Sequence, residues 1–196
     1  MTTSLEVEAL TPARWPALEA FFRACDSPCF CRFWHFEGDK NAWLARCVEE
    51  PEKNAAEQRA LVDRGDPAAR GLVATRGGDV VGWMKLAPRA ALPKLRARPV
   101  YRALDLGSDD GVWSIGCFLI HPAARRTGVA RALAEAAPRF AAEWGARAIE
   151  AYPHKSSTPL GEHEAWMGPY ALFTSLGFET VPSAVDGPYP VLRRVL

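Results

Sequence analysis

Apolar and polar residues alternate at the start of the chain. Leu5, Val7 and Ala9 stand against Glu6 and Glu8, the period of a half-buried strand over residues 4–10. At Thr11-Pro12 the period changes: a threonine cap followed by proline at the first helical position opens a helix. Trp15, Leu18, Phe21 and Phe22 fall on its apolar face. An aromatic segment follows at 29–36, then a charged helical stretch over 41–64 that Pro51 breaks and Gly65-Asp66-Pro67 stops. Strands are predicted at 71–76 and 79–87, joined by Gly77-Gly78, a pair suited to a tight hairpin turn because glycine tolerates positive φ. Residues 88–110, with several prolines, arginines and aspartates, read as a long loop.

The pattern then turns apolar. Residues 112–120 form a strand, and 127–144 a helix on which Val129, Leu133, Ala137 and Phe140 share a face. Gly145 closes this helix, and Pro138 bends it or marks its solvent side. A strand at 147–152 ends at Pro153, and a polar loop covers 153–163. A short helix at 169–176 stops at Gly177, and closing strands lie at 178–181 and 189–195. There are no repeats and no low-complexity linker.

The junction at 111–130 carries the chemistry. A strand runs into a glycine-bearing basic turn, Arg125-Arg126-Thr127-Gly128-Val129-Ala130, and then into a helix. The first N–H groups of a helix lack internal partners and its dipole favours negative charge there. A diphosphate can take those N–H groups if nothing bulky holds its oxygens away. Gly128 and the small Ala130 permit close approach, and Arg125 and Arg126 add charge. The spacing is neither the Gly-x4-Gly-Lys-Ser/Thr phosphate loop nor the Gly-x-Gly-x-x-Gly of dinucleotide folds.

This turn resembles the Arg/Gln-x-x-Gly-x-Gly/Ala signature of the GCN5-related N-acetyltransferase (GNAT) superfamily. Leu-Gly-Phe-Glu at 176–179 matches a downstream element of that family, and the order of elements is similar along nearly the whole chain. The resemblance implies an α+β (mixed α/β) GNAT fold over 1–196 as a single domain. Its sheet would be mixed, mostly antiparallel, of about seven strands with a splayed parallel pair, and helices would lie on both faces. It also implies an acetyl-CoA-dependent N-acetyltransferase acting directly on a primary amine of a small molecule or peptide. The coenzyme would meet Phe118, Leu119, Ile120, Arg125, Arg126, Thr127, Gly128, Val129, Ala130 and Phe173. In particular, the Phe118 N–H would face the thioester carbonyl, between strands 112–120 and 147–152.

Direct transfer requires a free amine, so an ammonium of pKa about 10 must lose a proton. Histone-type members place a glutamate eleven residues before the first residue of the turn, where this chain has Ser114. Glu150 on the neighbouring strand is the alternative base, sharing a face with Ala148 and Tyr152. His121, His154 and His163 are further candidates. Many members protonate the leaving thiolate from a tyrosine four residues before the glycine of Gly-Phe; here that position is Phe173, and Tyr170, three residues earlier, is the acid that remains. Cys117 in the acyl strand raises a covalent acyl-enzyme as another route, one that needs an activated thiolate. The missing glutamate and tyrosine leave open a module that holds acyl-CoA without turnover, and an acyltransferase with a longer acyl chain.

Composition narrows the partners. The chain has 196 residues, with 24 Lys and Arg against 23 Asp and Glu, and its basic residues are scattered, so no nucleic-acid surface is expected. No apolar run approaches the roughly 20 residues that span a bilayer. The start MTTSLEVEAL has no signal-peptide pattern, and a cytoplasmic protein, monomer or homodimer, is expected. Five cysteines, odd in number and unevenly spread, do not form a disulfide framework. Cys25, Cys29, Cys31 and His35 lack the usual zinc spacing, so no metal is expected and buried thiols among Phe30, Phe33, Trp34 and Phe36 are. Those aromatics, with Trp83, Trp113 and Tyr152, suit a hydrophobic or planar amine, and Asp105, Asp109 and Asp110 are the acids near the cleft.

Overall fold

Strands β1 (Leu5–Ala9), β2 (Gly71–Arg76), β3 (Asp79–Pro88), β4 (Val112–Ile120), β5 (Ala148–Ala151), β6 (Glu179–Thr180) and β7 (Leu192–Val195) form one sheet. Their order is β1-β2-β3-β4-β5-β7-β6. The computed structural model describes residues 4–158, 160–161, 164–184 and 187–196. β4 and β5 run parallel, and the other neighbours are antiparallel. The mixed sheet and its parallel pair match the fold class expected from the sequence.

Alternation along the strands splits the apolar residues between two faces. Leu72 and Ala74 of β2 pack with α6 (Val129–Glu143), burying Val129, Leu133, Ala137 and Phe140 against one face. Val73 and Trp83 pack on the other face with α1 (Trp15–Ala24) through Trp15, Leu18, Phe21 and Phe22. Both stripes are those of the sequence pattern. Pro138 lies inside α6 without ending it. The charged stretch divides at Glu50 into α2 (Lys40–Glu49) and α3 (Pro51–Asp63), as proline requires. Gly77 and Gly78 both take positive φ in the β2–β3 hairpin.

The expected loop at 88–110 is different in the structure. It contains a 3-10 turn at Arg89–Ala91 and two short helices, α4 (Pro93–Ala97) and α5 (Pro99–Arg102). Leu92, Leu95, Tyr101 and Leu106 anchor it in a third apolar cluster with Trp34 and Tyr152. The prolines that read as loop punctuation instead occupy first helical positions, where a missing N–H costs nothing.

Two irregularities prepare the site. β4 pairs with β5 only at Val112, Trp113 and Ser114, and beyond Ser114 it continues beside β3 alone. Between Ile115 and Phe118 its register against β3 slips by one residue, a bulge that leaves Gly116 and Cys117 opposite Lys85.

Candidate active site

The parallel strands part after the pair Ser114–Glu150. Facing the far end of β4 is a cavity of about 830 Å³. Phe118, Leu119 and Ile120 form one wall, and Arg125, Arg126, Gly128, Val129 and Ala130 form its basic end. Ala165, Trp166, Gly168 and Pro169 close it opposite. Gly168, at φ +86, lies so near Phe118 and Phe173 that a Cβ there would come within 2.8–2.9 Å of their rings.

The turn before α6 is built for exposure. Arg126 adopts φ +60 and Gly128 φ +89, both left-handed, so the chain doubles back ahead of the helix. Among the described residues, and apart from its chain neighbours, no atom lies within 4 Å of the place a Gly128 Cβ would occupy. Thr127 holds the turn together: its hydroxyl donates to the Ala124 carbonyl at 2.7 Å and accepts from Arg76 at 3.2 Å. Arg76 thereby brings a further cation to this end of the groove. His121 accepts from the Ala123 amide and caps the preceding 3-10 turn.

At the parting of the strands lies a buried polar line. The hydroxyls of Ser114 and Tyr152 are 2.7 Å apart, and Tyr152 donates to Glu150 Oε2 at 2.6 Å. Glu150 Oε1 accepts from Arg89 at 2.9 Å and from Arg193 Nε at 2.9 Å. Ser114, Glu150 and Arg89 are all 0 % exposed. Arg89 also donates to the carbonyls of Leu106, Gly107 and Ser108 and pairs with Asp109. Burial and the Glu150 charge push the Tyr152 hydroxyl well above its ordinary pKa, so it stays a donor.

The sequence candidates are therefore spread over several places. Phe118, Leu119, Ile120, Arg125, Arg126, Gly128, Val129 and Ala130 border the cavity. Ser114 and Glu150 do not line it and meet through Tyr152. Tyr170, half-buried on α7 (Tyr170–Ser175), adjoins Pro169 of the cavity wall, and Lys155 Nζ stands 5.3 Å from its ring centroid. Thr127 and Phe173 lie outside the cavity lining: Thr127 is exposed, and Phe173 is fully buried with its ring 6.1 Å from Phe118. His154 stacks on Tyr189 at 4.8 Å, and His163 lies outside the described residues.

Several residues escaped the sequence reading. Asp26, Ser27 and Trp166 border the cavity from loops that carry no periodic pattern. Arg89 and Arg193 reach Glu150 across 61 and 43 residues of chain, a pairing no local motif encodes. Asp109 and Asp110 are engaged with Arg89, Arg96 and Arg147. Among the described residues no group of three or more His, Cys, Asp or Glu could hold a metal ion, and no helix is long and apolar enough to cross a membrane.

A family model described as the acetyltransferase (GNAT) family matches residues 15–162. Among solved structures, a GCN5-related N-acetyltransferase from Kribbella flavida is 25 % identical, covering 98 % of each chain with a TM-score of 0.55. The GNAT domain of S. lividans PAT is 19 % identical over 98 % of this chain and 90 % of that one, with a TM-score of 0.56. PaiA N-acetyltransferase from Thermoplasma acidophilum, solved in complex with coenzyme A, shares the fold at 10 % identity, 98 % and 99 % coverage and a TM-score of 0.55. No curated protein matches the chain in sequence.

Proposed function

The chain belongs to the acetyltransferase (GNAT) family, and on that premise we propose that it moves an acetyl group from acetyl-CoA directly to a primary amine of a small molecule or peptide. The observation that carries this reading is the open basic turn at 125–130, which borders a cavity walled by the end of β4 that is not paired to β5. Acetyl-CoA, when bound, supplies the thioester that an amine attacks.

Each contacting residue has a role that its surroundings support. The amides of the turn and the α6 N-terminus hold the diphosphate, with Arg76, Arg125 and Arg126 supplying charge. Phe118, past the bulge, presents its amide to the thioester carbonyl, a donor worth about 3 kcal/mol where charge develops on oxygen. Phe173 keeps the Phe118 ring seated. Tyr170 returns a proton to the leaving thiolate.

Ser114 and Glu150 take positioning roles in place of the proton-accepting one expected from their strands. Both oxygens of Glu150 are engaged, one by two guanidiniums and one by Tyr152, and its carboxylate is sealed from solvent. Such a group holds strands β4, β5 and β7 in register better than it accepts a proton from a diffusing amine. The amine's proton leaves to solvent through the cleft.

Calorimetric titration with acetyl-CoA, followed by thiol release against a panel of amines, tests the reading. Micromolar binding with thiol release on one amine class is expected. Binding without release on any amine would favour a non-catalytic acyl-CoA sensor, and absence of binding would overturn the site.

A further inference from the structure

The cavity ends against an aromatic wall. Of β4, the residues that border it are Phe118, Leu119 and Ile120; Gly116 and Cys117 do not. Its border along the strand therefore runs from the basic turn as far as Phe118 and stops there. Across from β4 the border is formed by Ala165, Trp166 and Gly168. Ala165 and Trp166 belong to a 3-10 turn at Ala165–Met167, and Gly168 follows it. This turn is wedged where the parallel strands have parted. Pro169 bridges His154, in the chain that continues from β5, while Gly168 lies against the Phe118 ring on the β4 side.

Three sets of contacts hold the turn in place. The Gly168 N–H donates to the Ala165 carbonyl at 2.8 Å and closes it. Met167 is buried in the apolar cluster with Trp34 and Tyr152. The Trp166 ring lies 5.4 Å from that of Trp34, tilted by 32°, and meets Phe33 edge-on at 5.9 Å. Trp34 is fixed in turn: it is buried, and its indole N–H donates to the Gly116 carbonyl at 2.9 Å. The glycine makes room for this contact, since a Cβ at 116 would stand 3.1 Å from the Trp34 nitrogen. The aromatic pair is thus tied to β4 two residues before Phe118, and Trp166 borders the cavity with a second, immobilised ring against it.

We propose that Trp166, backed by Trp34, sets the length of the acyl group: it closes the slot just beyond the thioester carbonyl, admits acetyl and excludes longer straight-chain acyl-CoA thioesters. This rests on the reading in which the Phe118 amide holds that carbonyl. Pantetheine takes the side of Leu119, Ile120 and the basic turn, so the acyl carbons extend to the other side, where the aromatic pair stands. A chain longer than acetyl must push a packed ring out of its stack, against the contacts of two aromatic neighbours. A filled apolar site takes extra methylenes poorly, and each one is worth about tenfold or more in discrimination. Trp166 therefore contacts the acyl group, and Trp34 is a positioning residue that acts through it.

The test is a binding series that needs no acceptor amine. Calorimetry of the wild-type chain with CoA, acetyl-CoA and butyryl-CoA should give similar affinities for the first two and at least about tenfold weaker binding of the third. This measurement is made on the wild-type chain, so it does not depend on a variant that folds. In Trp166→Ala the affinities for butyryl-CoA and acetyl-CoA should come within about threefold of each other, whatever their absolute values. Trp34→Phe keeps an aromatic ring and removes the indole N–H, and it should relax the same ratio by a smaller factor. A purely structural role for either tryptophan would weaken both thioesters alike and leave the ratio unmoved. Equal wild-type affinities for acetyl-CoA and butyryl-CoA, or a ratio unchanged in Trp166→Ala, would overturn the proposal while leaving the coenzyme site standing. Absence of binding by CoA itself would overturn the coenzyme site and this proposal with it.

Discussion

Replacing Glu150 by glutamine removes one charge from a place where nothing is solvated. Glu150 and Arg89 are both 0 % exposed, and the Arg193 side chain beside them is 29 % exposed. Glutamine keeps an oxygen for the two arginines, so the loss is the charge. Removing one partner of a buried pair costs about 3–5 kcal/mol because the other charge stays buried. Here Asp109 still bonds Arg89, which places the expected cost near the lower end, about 3 kcal/mol. For a chain of this size each kcal/mol lowers Tm by about 2–4 °C, so Glu150→Gln should melt roughly 6–12 °C below wild type. Thermal denaturation followed by circular dichroism measures the shift. The pH profile of kcat on folded protein should keep its shape, as a positioning role requires. Arg89→Met with Glu150→Gln should cost less than the sum of the two singles, since each single strands a charge that the double removes. A Tm within 2 °C of wild type, together with a hundredfold fall in kcat, would refute the reasoning and make Glu150 the base.

Gly128→Ala should fold, because its Cβ meets no atom of the described residues beyond its chain neighbours, yet the φ of +89 costs about 1–2 kcal/mol for a non-glycine. Calorimetry should show acetyl-CoA affinity reduced at least tenfold, the methyl group standing where the diphosphate belongs. Tyr170→Phe should lower kcat by one to two orders of magnitude in a thiol-release assay while acetyl-CoA affinity stays unchanged. His35 is pushed down to about 2, first by burial and then by the charges of Lys85 and Arg32. Its unfolded value is about 6.5, so the unfolded chain binds the extra proton between those limits. Stability is therefore full above pH 6.5 and falls as pH drops below it, by about 1 kcal/mol per unit after allowance for partial solvation. Urea denaturation of His35→Gln between pH 4 and 7 should show a flatter dependence than wild type.

Everything that repeats locally was legible from the order of residues. The stripes Trp15-Leu18-Phe21-Phe22 and Val129-Leu133-Ala137-Phe140, the Gly77-Gly78 hairpin and the Pro51 break follow from helical period, strand alternation and backbone sterics within a few residues. The basic turn before α6 was legible for the same reason, since an anion site at a helix start needs only neighbouring residues. Segment 88–110 was misread because its short helices are stabilised by Leu92, Leu95, Tyr101 and Leu106 packing on distant Trp34 and Tyr152. Tertiary structure alone decided what Glu150 faces. Alternation put it on the same side as Tyr152, but only the packing of β7 and the 3-10 turn at Arg89 sealed it between two guanidiniums. Local preference is written in spacing; burial and partnership are written in the fold, because they depend on which distant residues exclude water from a given atom.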